Sequence, residues 1–407
     1  MNPITGYGKQ SIDEDDIKAV IEVLTGQYLT QGPSVANFEN ELAKYLDCKH
    51  AIALSNGTTA LHLAALALNL GKGDAVIVPG LTFAATANAV LYTGATPVFA
   101  DIDNATWGLD VCSVKKAISL AKENELTVKA IFPVHFGGTP VNISELYSLA
   151  KTENIKIVED ACHALGAEYK LKESLNFSKV GSGDLADLSI FSFHPVKHIT
   201  TGEGGAITTN DDKLAHKIQM LRTHGMTKDS DNFQNTELGF DPNSKKANIW
   251  YMEMHELGYN YRLSDIQAAL GASQIKKAGK FLANRRKLAE LYREELKSCD
   301  FLSMPQGDTH LTKNAYHLFP LAIEFEKIKQ TRNEVMLKLK DKGIPTQVHY
   351  LPVYNHPFYQ QNKSKWLSVD CARTDSIYKR ELSIPMYQDL SQEQAQYVIH
   401  HINRLGR

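Results

Sequence analysis

A chain of 407 residues with 43% apolar and 22% charged residues has the composition of a soluble globular protein with a sizeable core spread over two or three domains. Its 44 Lys and Arg against 46 Asp and Glu leave a net charge of −2 with no long block of either sign, so nothing draws it to nucleic acid or to a membrane surface, and a small or locally charged partner fits better. The N-terminal residues lack the basic and apolar regions of a secretory signal, no run reaches the ~18 apolar residues that span a bilayer, and the cysteines (Cys48, Cys112, Cys162, Cys299, Cys371) are scattered without a Cys-x-x-Cys spacing. Free thiols, a reducing cytoplasmic compartment and no metal are the expectations.

In chain order, short apolar runs at 51–55, 75–79, 96–100, 129–133, 155–159, 188–192 and 205–209 each read as a strand buried on both faces. Helical patterns such as 59–68 and 111–122 lie between most of them. Alternation of this kind predicts an α/β fold with a mostly parallel seven-stranded sheet and helices on both faces, whose ligands sit beyond the carboxyl ends of the strands. Residues 227–248 read as a long polar surface loop or flap. Beyond them the pattern predicts a long helix over 264–280, a charged helix over 284–297, a strand near 316–323, a helix near 332–342, a strand near 345–350 and a terminal helix. The expected division is a large domain over 1–262, with its N-terminal segment, and a linking helix plus smaller C-terminal α+β domain over 263–407.

The chemistry collects where strands end. Ser55-Asn56-Gly57-Thr58-Thr59 follows the first strand and opens a helix, so unpaired amides, hydroxyls and the positive end of a helix dipole meet at one point. Such a point cradles phosphate, or is simply a Thr N-cap. Asp160 closes the fifth run, where an unpaired carboxylate costs several kcal/mol and calls for a cation such as a protonated pyridine nitrogen; the alternative is a cap for the next helix. His163, three residues on, suits the face of a flat aromatic cofactor or a satisfied place in the core, and Phe83 is either core filler or its counterpart across a ring. Lys197 sits between the sixth run and Gly202-Glu203-Gly204-Gly205. A lysine attacks an aldehyde only when its ammonium is destabilised, and the ordinary alternative is a solvated surface charge.

Convergence of phosphate cradle, ring clamp, carboxylate and lysine on one crevice describes a site for pyridoxal 5'-phosphate. Two other patterns carry less. Gly181-Ser182-Gly183-Asp184-Leu185-Ala186 precedes a strand where a dinucleotide fingerprint must follow one, and Pro195 interrupts the helix that a His194/His198 metal pair would need.

The motifs SNGTTAL (55–61), EDACHALG (159–166), FSFHPVKHITTGEGG (191–205) and LGYNYRLSDIQAALG (257–271) together resemble the DegT/DnrJ/EryC1/StrS sugar aminotransferases over nearly the whole chain. That resemblance implies the fold type I architecture of pyridoxal-phosphate enzymes. It makes Lys197 the Schiff-base residue, pairs Asp160 with the pyridine nitrogen, sets His163 and Phe83 on the ring, and gives the phosphate to Gly57, Thr58 and Ser192. Asn260 would reach the phosphate of a second subunit, which implies a homodimer with composite sites. By the same likeness Tyr7, the segment Gln27, Tyr28, Leu29 and Thr30, and the segment Gln347, Val348, His349 and Tyr350 line a nucleotide-sugar pocket.

Within the family, HALGAEY (163–169), HPVKHITT (194–201) and QVHYLPVY (347–354) resemble the branch that works in pseudaminic acid biosynthesis. The activity expected from that branch is transfer of the amino group of L-glutamate to the 4-keto carbon of UDP-2-acetamido-2,6-dideoxy-β-L-arabino-hex-4-ulose, giving UDP-4-amino-4,6-dideoxy-N-acetyl-β-L-altrosamine. The alternative is another UDP- or dTDP-linked 3- or 4-keto sugar. Sugar dehydratases of this fold resemble the same pattern with histidine at the lysine position, and a non-catalytic relative would be expected to lose Lys197 or Asp160; both residues stand here. One departure is the segment 227–255, longer than in close relatives of that branch, which bears on the pocket rim or the dimer surface.

Overall fold

Alternate side chains of the apolar runs enter two different cores, which is what a sheet covered on both faces requires. Along Asp74–Pro79, Ala75 and Ile77 belong to one buried cluster with Phe38, Ile131 and Phe193, while Val76 and Val78 belong to another with Leu54, Leu61 and Ile190. The computed structural model describes residues 3–172 and 174–406. It contains all seven strands expected for the main sheet, as β1 (His50–Leu54), β2 (Asp74–Pro79), β3 (Thr96–Ala100), β4 (Thr127–Ile131), β5 (Lys156–Asp160), β6 (Leu188–Ser192) and β7 (Gly205–Thr209). C-terminal to these lie β8 (Leu302–Ser303), β9 (Phe319–Ile323), β10 (Leu367–Ser368) and β11 (Glu381–Ile384).

The main sheet has eight strands in the order β1-β7-β6-β5-β4-β2-β3-β10. Only β7 runs against its neighbours, and the other pairings are parallel. The strand beyond the expected set, β10, is a two-residue edge contributed by the C-terminal part of the chain, too short to leave a period in the sequence. A second, antiparallel sheet in the order β8-β9-β11 carries its own core of Leu321, Ile323, Leu382, Ile384, Val398 and their neighbours.

Three expectations are corrected. The helix read over 264–280 is two, Asp265–Ile275 and Ala278–Leu296, so the charged helix begins well before residue 284. Lys277 sits at the break with its ammonium 2.6 Å from Asp13 and 2.7 Å from Asp16. A tertiary clamp to the N-terminal helix Glu14–Leu24 thus stands where the local pattern runs on without interruption. The strand read near 345–350 is absent apart from a single bridge from Gln347 to Ser383, because the His349 amide donates to the Glu381 side chain (2.7 Å) instead of to a ladder. Finally, 227–248 is not featureless: it holds the helical turns Ser230–Asn232 and Thr236–Gly239, and Met226–Thr227 pairs with Glu253–Met254.

Candidate active site

Asp160 is delivered by the last residue of β5, and its carboxylate is oriented from two sides. The Thr86 hydroxyl donates to Oδ2 at 2.7 Å and the Cys162 amide donates to Oδ1 at 3.2 Å. Thr86 is itself fixed by Thr82 at 2.8 Å. A carboxylate offers about four acceptor positions, and these two neutral donors leave room for a cation on a residue that is only 6% exposed.

His163 follows on the loop after β5. The Gly137 amide donates to its Nδ1 at 3.3 Å, so the ring proton of the neutral form lies on Nε2, 3.3 Å from the Tyr350 hydroxyl. Burial, assisted by the charge of Lys197, holds this imidazole well below its ordinary pKa, and the ring is neutral. Tyr350 also meets Phe83, ring centroids 5.9 Å apart, so Phe83 and His163 both contact the same tyrosine. Phe83 is exposed, with 60% of its surface open, rather than filling the core.

Lys197 follows β6 after a turn closed by its own amide to the His194 carbonyl. Its ammonium lies 3.4 Å from Nε2 of His317. Desolvation lowers the lysine's pKa, the Arg285 guanidinium adds to that, and Cys162 and Asp160 oppose it. The surrounding histidines His163, His198 and His317 are each held neutral mainly by burial. A desolvated ammonium gives up its proton more readily than an exposed one, as a nucleophilic amine must. Because neutral His317 accepts at Nε2, its proton is on Nδ1, which is buried and has no hydrogen-bond partner among the described residues.

At the helix start read from sequence as a phosphate cradle, the cap of the helix Gly57–Ala67 is Asn56, not a threonine: its side chain accepts from the Thr59 amide at 2.9 Å, and the Thr59 hydroxyl accepts from the Asn56 amide. Gly57 and half-buried Thr58 are the first helical residues, where amides lack intrahelical partners. Added at Gly57, a Cβ would lie 3.1 Å from Ser192 Cβ and 3.3 Å from Cys162 Sγ, which puts β6 and the Asp160 loop against this helix start. Gly205 approaches so closely that a Cβ there would lie 2.4 Å from the Asn56 carbonyl. Gly57, Thr58, Ser192, Asp160, His163 and Lys197 therefore gather at the carboxyl ends of β1, β5 and β6.

The pocket residues divide. Tyr7 packs edge-on against His349, ring centroids 5.0 Å apart, and His349 and Tyr350 reach the Lys197 cluster. Gln347 is exposed and Val348 half-buried beside them. Gln27, Tyr28, Leu29 and Thr30 are all exposed and attach elsewhere, the Leu29 carbonyl accepting from the Asp265 amide at 3.0 Å. Asn260 is exposed too and bridges to Thr223. Asn260 and the 27–30 segment thus lie on the surface of the chain, not in the crevice.

Sequence reasoning missed Thr86, His317 and Arg285. Fully buried Arg285 donates to the carbonyls of Tyr316 and His317 (3.2 Å each) and Met386 (3.0 Å) and to the Gln388 side chain (2.9 Å), thereby seating His317. Thr86 stood three residues from Phe83 as an ordinary helix residue, and neither His317 nor Arg285 belongs to a motif. Among the described residues no group of His, Cys, Asp and Glu is arranged to hold a metal, and no helix is long and apolar enough to cross a membrane.

A family model for the DegT/DnrJ/EryC1/StrS aminotransferases matches residues 10–403. The chain is 40% identical over 392 residues, 96% of its length and 95% of the relative's, to the UDP-4-amino-4,6-dideoxy-N-acetyl-β-L-altrosamine transaminase of Campylobacter jejuni. Its fold is similar to that of Helicobacter pylori PseC, an aminotransferase involved in the biosynthesis of pseudoaminic acid, with a TM-score of 0.83 at 32% identity over 98% of both chains. It is also similar to Spr1654 from Streptococcus pneumoniae in its PLP form, with a TM-score of 0.82 at 25% identity over 100% of this chain and 99% of that one. With a family match over almost its full length and relatives of this identity, the chain belongs to the DegT/DnrJ/EryC1/StrS aminotransferase family and is a sugar aminotransferase.

Proposed function

We propose that this enzyme uses pyridoxal 5'-phosphate to move the amino group of L-glutamate to the 4-keto carbon of UDP-2-acetamido-2,6-dideoxy-β-L-arabino-hex-4-ulose, yielding UDP-4-amino-4,6-dideoxy-N-acetyl-β-L-altrosamine for pseudaminic acid synthesis. The carrying observation is the placement of a desolvated Lys197 and a buried Asp160 in one crevice with the helix start at Gly57, in a chain 40% identical to a transaminase that bears that product's name.

The residues fit the cofactor. Asp160 retains acceptor capacity for a protonated ring nitrogen, His163 and Phe83 suit the ring, and Gly57, Thr58 and Ser192 suit the phosphate, with space between Gly57 and Ser192 that a single Cβ would fill. When bound, pyridoxal phosphate supplies an aldehyde for amine exchange and a ring that takes up electron density. The chain supplies the rest. Lys197 Nζ takes the proton from the donor's α-carbon and later returns one to the sugar carbon that is aminated, and Asp160 holds the proton on the ring nitrogen.

Asn260 and the 27–30 segment are proposed to complete the site of a second subunit in a cytoplasmic homodimer. Support comes from their exposure and, for Asn260, from bare apolar side chains close by in sequence, Ile249 (98% exposed), Trp250 (72%) and Leu257 (80%), which a partner would cover.

Substitution Gly57→Ala is expected to weaken cofactor affinity about tenfold, because a methyl group costing 1–3 kcal/mol of overpacking would press on Ser192 and Cys162. Equilibrium dialysis of pyridoxal phosphate checks it, and unchanged affinity would remove the phosphate from this helix start. For the substrate, purified enzyme with glutamate is offered a panel of UDP- and dTDP-linked 3- and 4-keto sugars, with products read by mass spectrometry. Preference for the UDP-linked 4-keto N-acetyl sugar is expected. Failure on it with turnover of another would keep the family activity and discard this substrate.

A further inference from the structure

Beneath the crevice, on the small sheet, lies a line of three buried polar groups: Glu381 and Ser383 of β11 and His349 of the preceding loop. Ser383 Oγ donates to Glu381 Oε1 at 2.6 Å, Ser383 Oγ and His349 Nδ1 are 2.9 Å apart, and the His349 amide donates to Glu381 Oε2 at 2.7 Å. His349 Nε2 has no partner among the described residues, and the ring is flanked by Tyr7 and Tyr350 at 5.0 and 4.8 Å. Carboxyl, hydroxyl and imidazole are thus in series, with the open end at the candidate substrate pocket.

We propose that Glu381, Ser383 and His349 form a proton relay, in which a proton taken up at His349 Nε2 is stored on Glu381 and switches Nε2 from hydrogen-bond acceptor to donor toward the nucleotide-sugar substrate. The polarity follows from counting protons. With Glu381 ionised, the one hydroxyl proton of Ser383 points at the carboxylate, so Ser383 accepts from Nδ1–H and Nε2 carries a lone pair. A proton arriving at Nε2 is balanced by passage of the Nδ1 proton to Ser383 Oγ and of the Ser383 proton to Glu381 Oε1. Each hydrogen bond in the line reverses, Nε2 becomes an N–H donor, and the imidazole is neutral before and after. The charge change falls on Glu381, which has no exposed surface of its own.

The electrostatics agree with the geometry. Burial pushes the Glu381 carboxyl up to about 8, while burial first and Lys197 second hold His349 down to about 3, so the carboxylate takes the proton before the imidazole becomes a cation. Around Glu381 stand Ser383 on its own strand, His349 and Tyr350 on the loop, and, from the helix Arg332–Asp341, Arg332, whose Nη1 donates to the Glu381 carbonyl at 3.3 Å and whose charge favours the ionised form. Around His349 stand Lys197, His163, Tyr7 and Tyr350. Glu381 and Ser383 are positioning residues in this scheme, and the contact with substrate is made by His349, which rests on the nucleotide-sugar reading above.

The test is a titration of 15N-histidine-labelled holoenzyme from about pH 6 to about pH 10, with the His349 ring signals identified by difference against His349→Gln. Expected is a change of Nε2 from protonated to unprotonated type, and of Nδ1 in the opposite sense, with a midpoint near 8. One tautomer throughout, or the same exchange in Ser383→Ala, would overturn the relay. Should Ser383→Ala not fold, Glu381→Gln, with a fixed amide in place of the carboxyl, is expected to lock a single tautomer, and continued exchange in it would be equally fatal. Adding UDP-N-acetylglucosamine or a dTDP-hexose, with binding confirmed by calorimetry, separates the two readings. Binding with a midpoint moved by about 1 unit supports the contact, and binding with no movement removes it. If neither nucleotide sugar binds, the substrate reading fails while the relay is still judged by its own titration.

Discussion

Turnover falls by about four orders of magnitude or more in Lys197→Ala, and the visible absorbance of lysine-bound cofactor disappears with it. The size of the loss follows from the two tasks proposed for the lysine, binding the cofactor covalently and carrying the proton between carbon atoms, since no neighbour can take over either. His317 lies 3.4 Å from the lysine nitrogen, but burial holds its pKa well below the ordinary value and leaves it a weak base, and Cys162, the other candidate nucleophile, is held well above its ordinary pKa by desolvation and by Asp160. The same substitution leaves the fold intact. Lys197 has a lowered pKa in the native state, so its ammonium is held less well folded than unfolded and costs stability at every pH below the folded value. Removing it therefore leaves the cofactor-free protein melting no lower than the parent at neutral pH. Steady-state assay, absorbance and a thermal melt check the three parts, and a mutant within tenfold of the parent rate would end the assignment.

Asp160→Asn is expected to reduce kcat by about 10²–10³-fold, the usual loss when one preorganised electrostatic group is taken from a reacting centre. The change is isosteric, and Thr86 can turn its hydroxyl toward Thr82, 2.8 Å away, to accommodate an amide N–H, so the fold is not the reason for the loss. The lost charge is. On the proposed function the carboxylate holds a proton on the cofactor ring nitrogen, and without it the ring takes up electron density less well. Single-turnover kinetics with glutamate read the effect directly, and a rate within a few-fold of the parent would show that Asp160 is only a structural acceptor for Thr86 and the Cys162 amide.

Asp160 and Lys197 were legible in the sequence because Asp160 stands immediately beyond one apolar run and Lys197 between another and a glycine-rich turn, where polar chemistry is out of place unless it is used. The strands were legible for a related reason: a strand buried on both faces reads as a continuous apolar run instead of an alternating one, and the Ala75-Val76-Ile77-Val78 run of β2 shows this most clearly. Thr86 and His317 carry no such mark. Their importance comes from what they touch, across sequence separations of 74 and 120 residues, and no local period encodes that. The same holds for the helix break at Lys277, which coincides with a clamp to Asp13 and Asp16, and for the 345–350 segment, whose amide at His349 is claimed by a side chain from β11.

The alternation of strand and helix, the four family motifs and the residues standing at the strand ends can all be read from the chain alone, because burial pattern and turn chemistry are local and leave their period in it. Only the tertiary structure decided which of those residues meet, which proton each histidine carries, and that Glu381, Ser383 and His349 stand in line under the pocket. These depend on desolvation and on distances between elements far apart in the chain, and such quantities exist only once the sheet has closed and water has been expelled.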